Sequence, residues 1–376
     1  MKELSEIRTE IDAIDAQIVE LYETRMKLTS EVADYKIETG KQIFDKEREE
    51  SKLERLKSMA GSEFTRHGIC ELFEQIMSMS RKKQYQLLTK HGLVTDLGFE
   101  ELEQLELKGK KIVFQGVEGA YAHQAMLEFF GDGVENFHVS TWRDAMEAIK
   151  NGEADYAVLP FENSSAGIIA ENHDLLKEYD FSIVGEHKLK VNHCLLGVAG
   201  SQPENIRKVY SHPQALAQCS KLLEEHREWE QVPYANTALA AKKIKEDGDV
   251  TQAAIASRLT SQLYGLDILQ EGIQNNRTNE TRFIIVTGKK QYLKGAGKIT
   301  VCLELEHKSG SLYHILSHFI YNNLNMTSIE SRPIQGKQWE YQFFIDFDGN
   351  LNDPAVMNAL RGIRDEALDF RILGNY

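Results

Sequence analysis

Apolar residues at Leu4, Ile7, Ile11, Ile14, Ile18, Leu21, Leu28 and Val32 recur at alternating spacings of three and four. Only a helix gathers such residues into one stripe, and a stripe this long predicts a single helix packed lengthwise on others. The series has one gap, and Arg25 stands in it. A guanidinium inside an apolar stripe is costly unless an anion meets it. Lys36 follows three turns later, on nearly the same side and roughly 16 Å along the axis, so the two long side chains can converge on one small anion. Arg8 lies roughly 25 Å from Arg25 by the same rise, too far to share that ligand. A functional Arg8 would therefore serve a second copy of the chain, in a dimer of interlocked helices.

Thr39-Gly40 reads as the helix C-terminus. A second helix carries Asp45, Arg48 and Glu49 on one face, and a third carries Leu72-Phe73 with Ser80 and Gln84 one turn apart. Residues 1–90 so read resemble the all-helical bacterial chorismate mutases. Arg8, Arg25, Lys36, Asp45, Arg48, Glu49, Ser80 and Gln84 fall on that family's active-site positions. The resemblance implies an intramolecular rearrangement that needs no nucleophile and no cofactor, only a clamp on a dicarboxylate and donors at the breaking ether oxygen. Arg8 (from the second copy), Arg25 and Arg48 would take carboxylates, Lys36 and Gln84 would donate to the ether oxygen, and Glu49 would accept from the ring hydroxyl. A charged three-helix interaction module, or a scaffold without mutase activity, is the competing reading.

At 376 residues the chain suits two or three domains. A hydrophobic content of 41% with 27% charged residues is ordinary for a soluble globular protein. The net charge of −14 argues against a nucleic-acid partner, so anionic substrates would need local Arg and Lys clusters. No run reaches membrane-spanning length, and the acidic, amphipathic start is unlike a secretion signal. Cys70, Cys194, Cys219 and Cys302 have no metal-ligand spacing and read as buried thiols in a reducing cytoplasm. Residues 91–108, with Glu100-Glu101-Leu-Glu, read as an acidic linker with one short helix.

Between 109 and 290 short strand-like runs (Lys111 to Phe114, Tyr156 to Leu159, Ser182 to Val184, Cys194 to Val198, Ala253 to Ala256, Phe283 to Val286) alternate with helical stretches (Ala122 to Phe130, Trp142 to Lys150, Gln214 to His226, Thr237 to Lys245). That alternation predicts a two-lobed α/β module, a parallel sheet covered by helices with sites at strand ends. Gly116 to Tyr121 follows a strand and opens a helix, so its amides could hold a carboxylate, although it lacks the dinucleotide fingerprint. Pro160-Phe-Glu-Asn-Ser-Ser is dense in short polar groups, which also suit a plain turn and cap. Asn279-Glu-Thr-Arg-Phe runs straight into Ile284-Ile-Val.

These motifs, with Ser211-His-Pro-Gln-Ala-Leu-Ala-Gln, resemble prephenate dehydratase across the module, and its Thr-Arg-Phe signature implies that Thr281 is catalytic. Glu162, Asn163, Ser164, Gln218, Thr281, Arg282 and Phe283 would bind prephenate, which loses its ring carboxylate as CO2 and its hydroxyl as water. Thr281 would protonate the departing hydroxyl, with Glu162 and Asn163 orienting it. Strand alternation leaves Arg282 two options: on the face away from Thr281 as a structural residue, or at the substrate if the strand begins later. The family usually has a hydroxyl residue at Ala122 and a branched aliphatic at Phe161. A non-catalytic small-molecule receptor of the same two-lobed form is the competing reading.

Residues 296–376 read in the order βαββαβ, which fits a ferredoxin-like fold. They resemble the ACT domain, which implies phenylalanine bound between two subunits. Glu330-Ser331-Arg332-Pro333 matches one ligand motif, and Gly310-Ser311-Leu312-Tyr313 matches the other in part. His314 and His318 stand at i, i+4 without a third ligand nearby, and read as helix surface rather than a metal site.

Overall fold

The computed structural model describes residues 2–93, 96–334, 336–337 and 339–376. It divides into two compact units, Met1–Gly98 with Gly297–Ile372, and Phe99–Ala296 with Leu373–Tyr376.

The first unit opens with three helices, α1 (Leu4–Thr39), α2 (Lys46–Ser58) and α3 (Glu63–Lys90). The stripe that predicts α1 stays uncovered: Ile11, Ile14, Ile18, Leu21 and Leu28 are 50% to 69% exposed. The lengthwise packing expected of it is therefore not made within one chain. By contrast α3 buries a charged stretch, Arg81, Lys82, Gln84 and Tyr85, because it packs on α1, α2 and the Pro354–Glu366 helix.

The C-terminal part of this unit follows the expected βαββαβ order. Its strands lie in the order Met326–Pro333, Tyr341–Asp348, Lys298–Glu304, Asp369–Asn375, a ferredoxin-like arrangement with its two helices, Ser311–Tyr321 and Pro354–Glu366, turned toward α3. Lys82 Nζ donates to Ser317 Oγ at 2.7 Å, Thr89 Oγ1 to Asn358 Oδ1 at 2.7 Å, and Tyr85 OH to Asp365. His318 is not the surface residue its spacing suggests. It is fully buried, with Nε2 3.0 Å from Glu366 Oε1. Room for the ring comes from Gly362, where a Cβ would stand 2.2 Å from His318 Cε1.

The second unit is built mainly on two runs of five strands. One runs Ser182–Lys190, Glu280–Thr287, Tyr156–Asn163, Lys111–Gln115, Glu135–Val139, and the other Asp267–Glu271, Cys194–Gly197, Gln252–Ala256, Lys208–Ser211, Glu230–Pro233. Both are mixed rather than parallel as expected. Glu280–Thr287 runs antiparallel to both its neighbours, and Cys194–Gly197 to both of its own. The chain leaves the first sheet at 190, enters the second at 194 and returns through 272–279, so the outgoing and returning strands oppose their neighbours. Leu159, Val158, Ile284 and Ile285 are fully buried, since both faces of this sheet are covered.

Smaller differences have local causes. The 91–108 segment forms a strand, Glu100–Leu102, beside Gln291–Leu293, rather than a short helix. The helix expected over 214–226 is two short ones broken at Cys219. Cys70 is half-buried, while the other three thiols are buried. Among the described residues no helix is long and apolar enough to cross a membrane.

Candidate active sites

A cavity of about 1130 Å³ opens among the three helices. Seven of the eight residues expected at a mutase site line it: Arg25, Lys36, Asp45, Arg48, Glu49, Ser80 and Gln84. Arg8 does not; it lies on the exposed N-terminal part of α1. Arg25 Nη1 donates to Ser80 Oγ and, at 3.3 Å, to the Ile76 carbonyl, which holds the guanidinium in the gap of the stripe. Burial lowers the pKa of both Arg25 and Lys36 from their ordinary values, and Lys36 Nζ donates to the Ile43 carbonyl at 2.6 Å. Two partly dehydrated cations beside one cavity are what a small anion needs.

Asp45 has a local task. Its carboxylate caps α2 by accepting from Arg48 N at 3.1 Å. Gln84 Nε2 donates to the Ser80 carbonyl at 3.2 Å, and its buried Oε1 has no partner. Glu49 is held by a residue the sequence reading missed, Arg81. Arg81 opens an Arg-Lys-Lys run that looks like a solvated face until the Pro354–Glu366 helix covers it.

In the second unit the register Thr281↔Asn163 and Arg282↔Glu162 sorts the strand-edge motif into two faces. Asn163 Nδ2 donates to Thr281 Oγ1 at 2.9 Å and to Asn279 Oδ1 at 3.0 Å. Its Oδ1 accepts the amides of Ser165 and Ala166 at 3.0 and 2.9 Å, and this fixes which end of the carboxamide meets Thr281. Ser164 Oγ accepts from Glu280 N at 2.9 Å and reaches Asn279 Oδ1 at 3.4 Å. Asn279, 1% exposed, was not singled out from sequence; its Nδ2 is buried without a partner. The clue to it was position alone, two residues before the threonine and just ahead of the strand.

The strand begins at Glu280, so Arg282 takes the opposite face. There Nε lies 2.9 Å from Glu186, Nη1 3.4 Å from Glu162, Nη2 donates to Tyr376 OH at 2.7 Å, and the guanidinium sits 5.2 Å over the Phe161 ring. Arg282 thus takes the structural alternative, on the face away from Thr281, where it pairs with Glu162, a carboxylate still 43% exposed. Phe283 packs in the core with Phe114, Ala122 and Met126. It is a packing residue, and Ala122 faces that same core rather than a ligand.

Three of the six amides of the Gly116–Tyr121 loop are engaged within the protein. Those of Gly116, Gly119 and Ala120 donate to Val139 O, His123 Nδ1 and Val117 O. The Gly119 carbonyl instead accepts from Ser257 and Thr260 hydroxyls of the other lobe, at 3.2 and 2.8 Å. A Cβ at Gly119 would stand 3.2 Å from Thr260 Oγ1, and its φ of +87° is one that side chains rarely adopt.

Gln218, at the end of its helix, accepts from His193 Nε2 at 3.0 Å, and His193 Nδ1 lies 2.9 Å from Tyr121 OH. Burial lowers the pKa of His193, and the Tyr121 hydroxyl also reaches the Asn192 carbonyl at 3.1 Å. The 272–279 crossing joins this group to the strand edge: Asn275 N donates to Gln218 O at 2.7 Å and Asn276 Nδ2 to Ser165 Oγ at 3.2 Å.

Of the two effector motifs, Gly310, Ser311 and Leu312 open the Ser311–Tyr321 helix, and Ser311 and Leu312 line a cavity of about 420 Å³ with Lys308, Tyr341 and Phe343. Glu330, Ser331, Arg332 and Pro333 lie on the outermost strand of the sheet and do not line it.

The prephenate dehydratase family model matches residues 112–291, and that of chorismate mutase type II matches residues 7–85. A bifunctional chorismate mutase/prephenate dehydratase of Escherichia coli (strain K12) is 32% identical over 376 residues, spanning 98% of this chain and 95% of that protein. Among solved structures, a prephenate dehydratase in complex with L-Phe from Arthrobacter aurescens is 31% identical, with a TM-score of 0.66 over 71% of this chain and 89% of that one. GqqA, described as a novel type of quorum quenching acylase, is 32% identical, with a TM-score of 0.65 over 70% of this chain and 97% of that one.

Proposed function

Because the chain belongs to the bifunctional chorismate mutase/prephenate dehydratase family, we propose that the three-helix cavity and the Thr281 strand edge are its two active sites. The protein is an enzyme of phenylalanine biosynthesis that turns chorismate into prephenate and prephenate into phenylpyruvate. The observation that carries the site assignment is the gathering of Arg25, Lys36, Arg48, Glu49, Ser80 and Gln84 around one cavity.

In the first step Arg25 and Arg48 take the chorismate carboxylates and hold the compact conformer in which the two reacting carbons meet. Lys36 leaves the Ile43 carbonyl to donate to the ether oxygen as its bond to the ring breaks. Gln84 donates beside it through Nε2, which rests on the Ser80 carbonyl. Arg8 completes the site from a second copy, whose α1 stripe covers the bare one described above.

In the second step the Thr281 hydroxyl meets the departing ring hydroxyl. Asn163 donates to Oγ1, so the proton of Thr281 is left for the substrate, and the amide steadies the charge that builds on the oxygen. Asn163 cannot accept a proton, which suits a hydroxyl that donates rather than one that attacks. The buried Nδ2 of Asn279 supplies a further donor to a prephenate oxygen. Gln218, held by His193, closes the site from the other lobe.

The C-terminal segment, 296–376, acts as an ACT domain that binds L-phenylalanine between copies, with Gly310–Leu312 of one and Glu330–Pro333 of the other, and so feeds back on the enzyme. The bound L-Phe named for the Arthrobacter structure and the edge position of Glu330–Pro333 support this. The free cysteines suit a cytoplasmic enzyme.

Mixing tests the shared mutase site. Arg8→Ala and Lys36→Ala chains are each inactive as mutases. Co-refolded, they regain activity, because half the sites in mixed dimers carry both wild-type residues. Failure to regain any activity would refute a site shared between copies.

A further inference from the structure

The assigned residues leave out a heavily bonded cation of the helical unit, Arg81. Arg81 is 8% exposed and lines the three-helix cavity. Its guanidinium donates through Nη1 to Glu49 Oε2, and through Nε and Nη2 to Glu366 Oε1 at 3.1 and 2.7 Å. The cation also lies 4.9 Å over the Phe44 ring. Glu366 ends the Pro354–Glu366 helix, and its Oε1 is 3.0 Å from His318 Nε2, on the neighbouring Ser311–Tyr321 helix. One planar cation therefore spans a carboxylate on α2 and a carboxylate in the C-terminal domain.

The geometry points to Arg81 as a positioning residue of the mutase step, holding the Glu49 carboxylate in place while itself anchored on Glu366. Glu49 stands on a short helix that buries no residue of its own. Nothing apolar then fixes its carboxylate, and the fork of Arg81 does. A guanidinium presents its donors at set angles, so fixing one edge on Glu366 sets the direction of the other. Glu366 is fixed in turn by His318, whose ring fits only because position 362 is glycine. The orientation of a mutase side chain thus depends on residues more than 260 positions away in sequence, in the effector-binding domain.

The inference rests on the reading of Glu49 as the acceptor of the chorismate ring hydroxyl. That hydroxyl is unchanged by the rearrangement, so losing its partner weakens substrate and transition state alike. Such a loss raises KM and spares kcat. A purely structural ion cluster would behave otherwise, lowering the melting temperature and the amount of active enzyme without moving KM.

The test compares Glu49→Gln, Arg81→Gln, Arg81→Lys and Glu366→Gln in the full-length enzyme, with chorismate as substrate. Arg81→Gln should raise the mutase KM on the order of tenfold with kcat within about twofold of wild type. Glu366→Gln should shift KM in the same direction and by less, and Arg81→Lys should recover part of the loss. Dehydratase turnover of supplied prephenate should be unchanged in all four and reports that the chain has folded. If Arg81→Gln fails to fold, Glu366→Gln carries the test, since it keeps the shape of the side chain and removes only the anchor's charge. A raised KM in Glu49→Gln with wild-type KM in both Arg81→Gln and Glu366→Gln would overturn the inference and leave the reading of Glu49 standing. A wild-type KM in Glu49→Gln would overturn the reading itself.

Discussion

Asn163 decides where the Thr281 proton can go. Both Oδ1 bonds go to backbone amides, so only the NH2 end can meet Thr281 Oγ1. Replacing Asn163 by Ala leaves the hydroxyl unsteadied and should cut dehydratase kcat on the order of a hundredfold, with mutase activity intact; steady-state kinetics on prephenate and chorismate check both halves. Arg282, one residue on, should behave oppositely. Its partners are Glu162, Glu186 and Tyr376, the two carboxylates only partly buried, so Arg282→Ala removes their shared cation and costs about 1 kcal/mol of stability in urea unfolding, with prephenate KM near wild type. A tenfold higher KM at unchanged stability would return Arg282 to the substrate. Thr281 was proposed on the Thr-Arg-Phe signature and its companion motifs, since a hydroxyl before an Ile-Ile-Val strand also suits an ordinary strand start. Arg81 was not legible: one Arg in an Arg-Lys-Lys run carries no mark of burial, and the groups that bury it come from the other end of the chain.

At the scale of elements, α1 and the Pro354–Glu366 helix make contrasting claims. The three-four spacing specified α1 and its face but could not say that this face stays bare within one chain, since a stripe reads the same whichever molecule covers it. If a second copy covers it, Ile14→Glu should yield a monomer by analytical ultracentrifugation and lose mutase activity; an unaltered assembly would show that α1 does not form the contact. The Pro354–Glu366 helix instead locks into its own unit through Glu366. Burial would raise that carboxyl, but the closeness of His318 and the charge and hydrogen bonds of Arg81 pull it down to about 2, against an ordinary 4.5. A depressed carboxyl contributes fully above its unfolded value, and the contribution is lost as pH falls from 4.5 toward 2. Its size is roughly 3 kcal/mol. Glu366→Gln should therefore flatten the acid limb of a stability-versus-pH curve in that window, and an unchanged limb would show the carboxylate to be unpaired. Several strands escaped the sequence reading for a physical reason. Lys208–Ser211 and Glu230–Pro233 are four residues each, with polar ends, and gain their place from neighbours rather than from pattern.

At the scale of the whole molecule, two chemistries share one acidic chain of net charge −14, and each concentrates a few cations or donors against that field. Within one chain Glu330–Pro333 do not line the cavity of Ser311 and Leu312, as an effector site shared between copies requires. Calorimetric titration should find L-phenylalanine binding to the assembled enzyme and lost on Ser331→Ala; no heat at millimolar ligand would remove the regulatory role. The most direct test of the division of labour is a single time course. Purified enzyme and its Thr281→Ala variant are given chorismate, and prephenate and phenylpyruvate are followed by absorbance after acid and alkali treatment. Wild type should pass through prephenate to phenylpyruvate, and the variant should stop at prephenate with chorismate consumed at the wild-type rate. Phenylpyruvate formed equally fast by both would contradict the account.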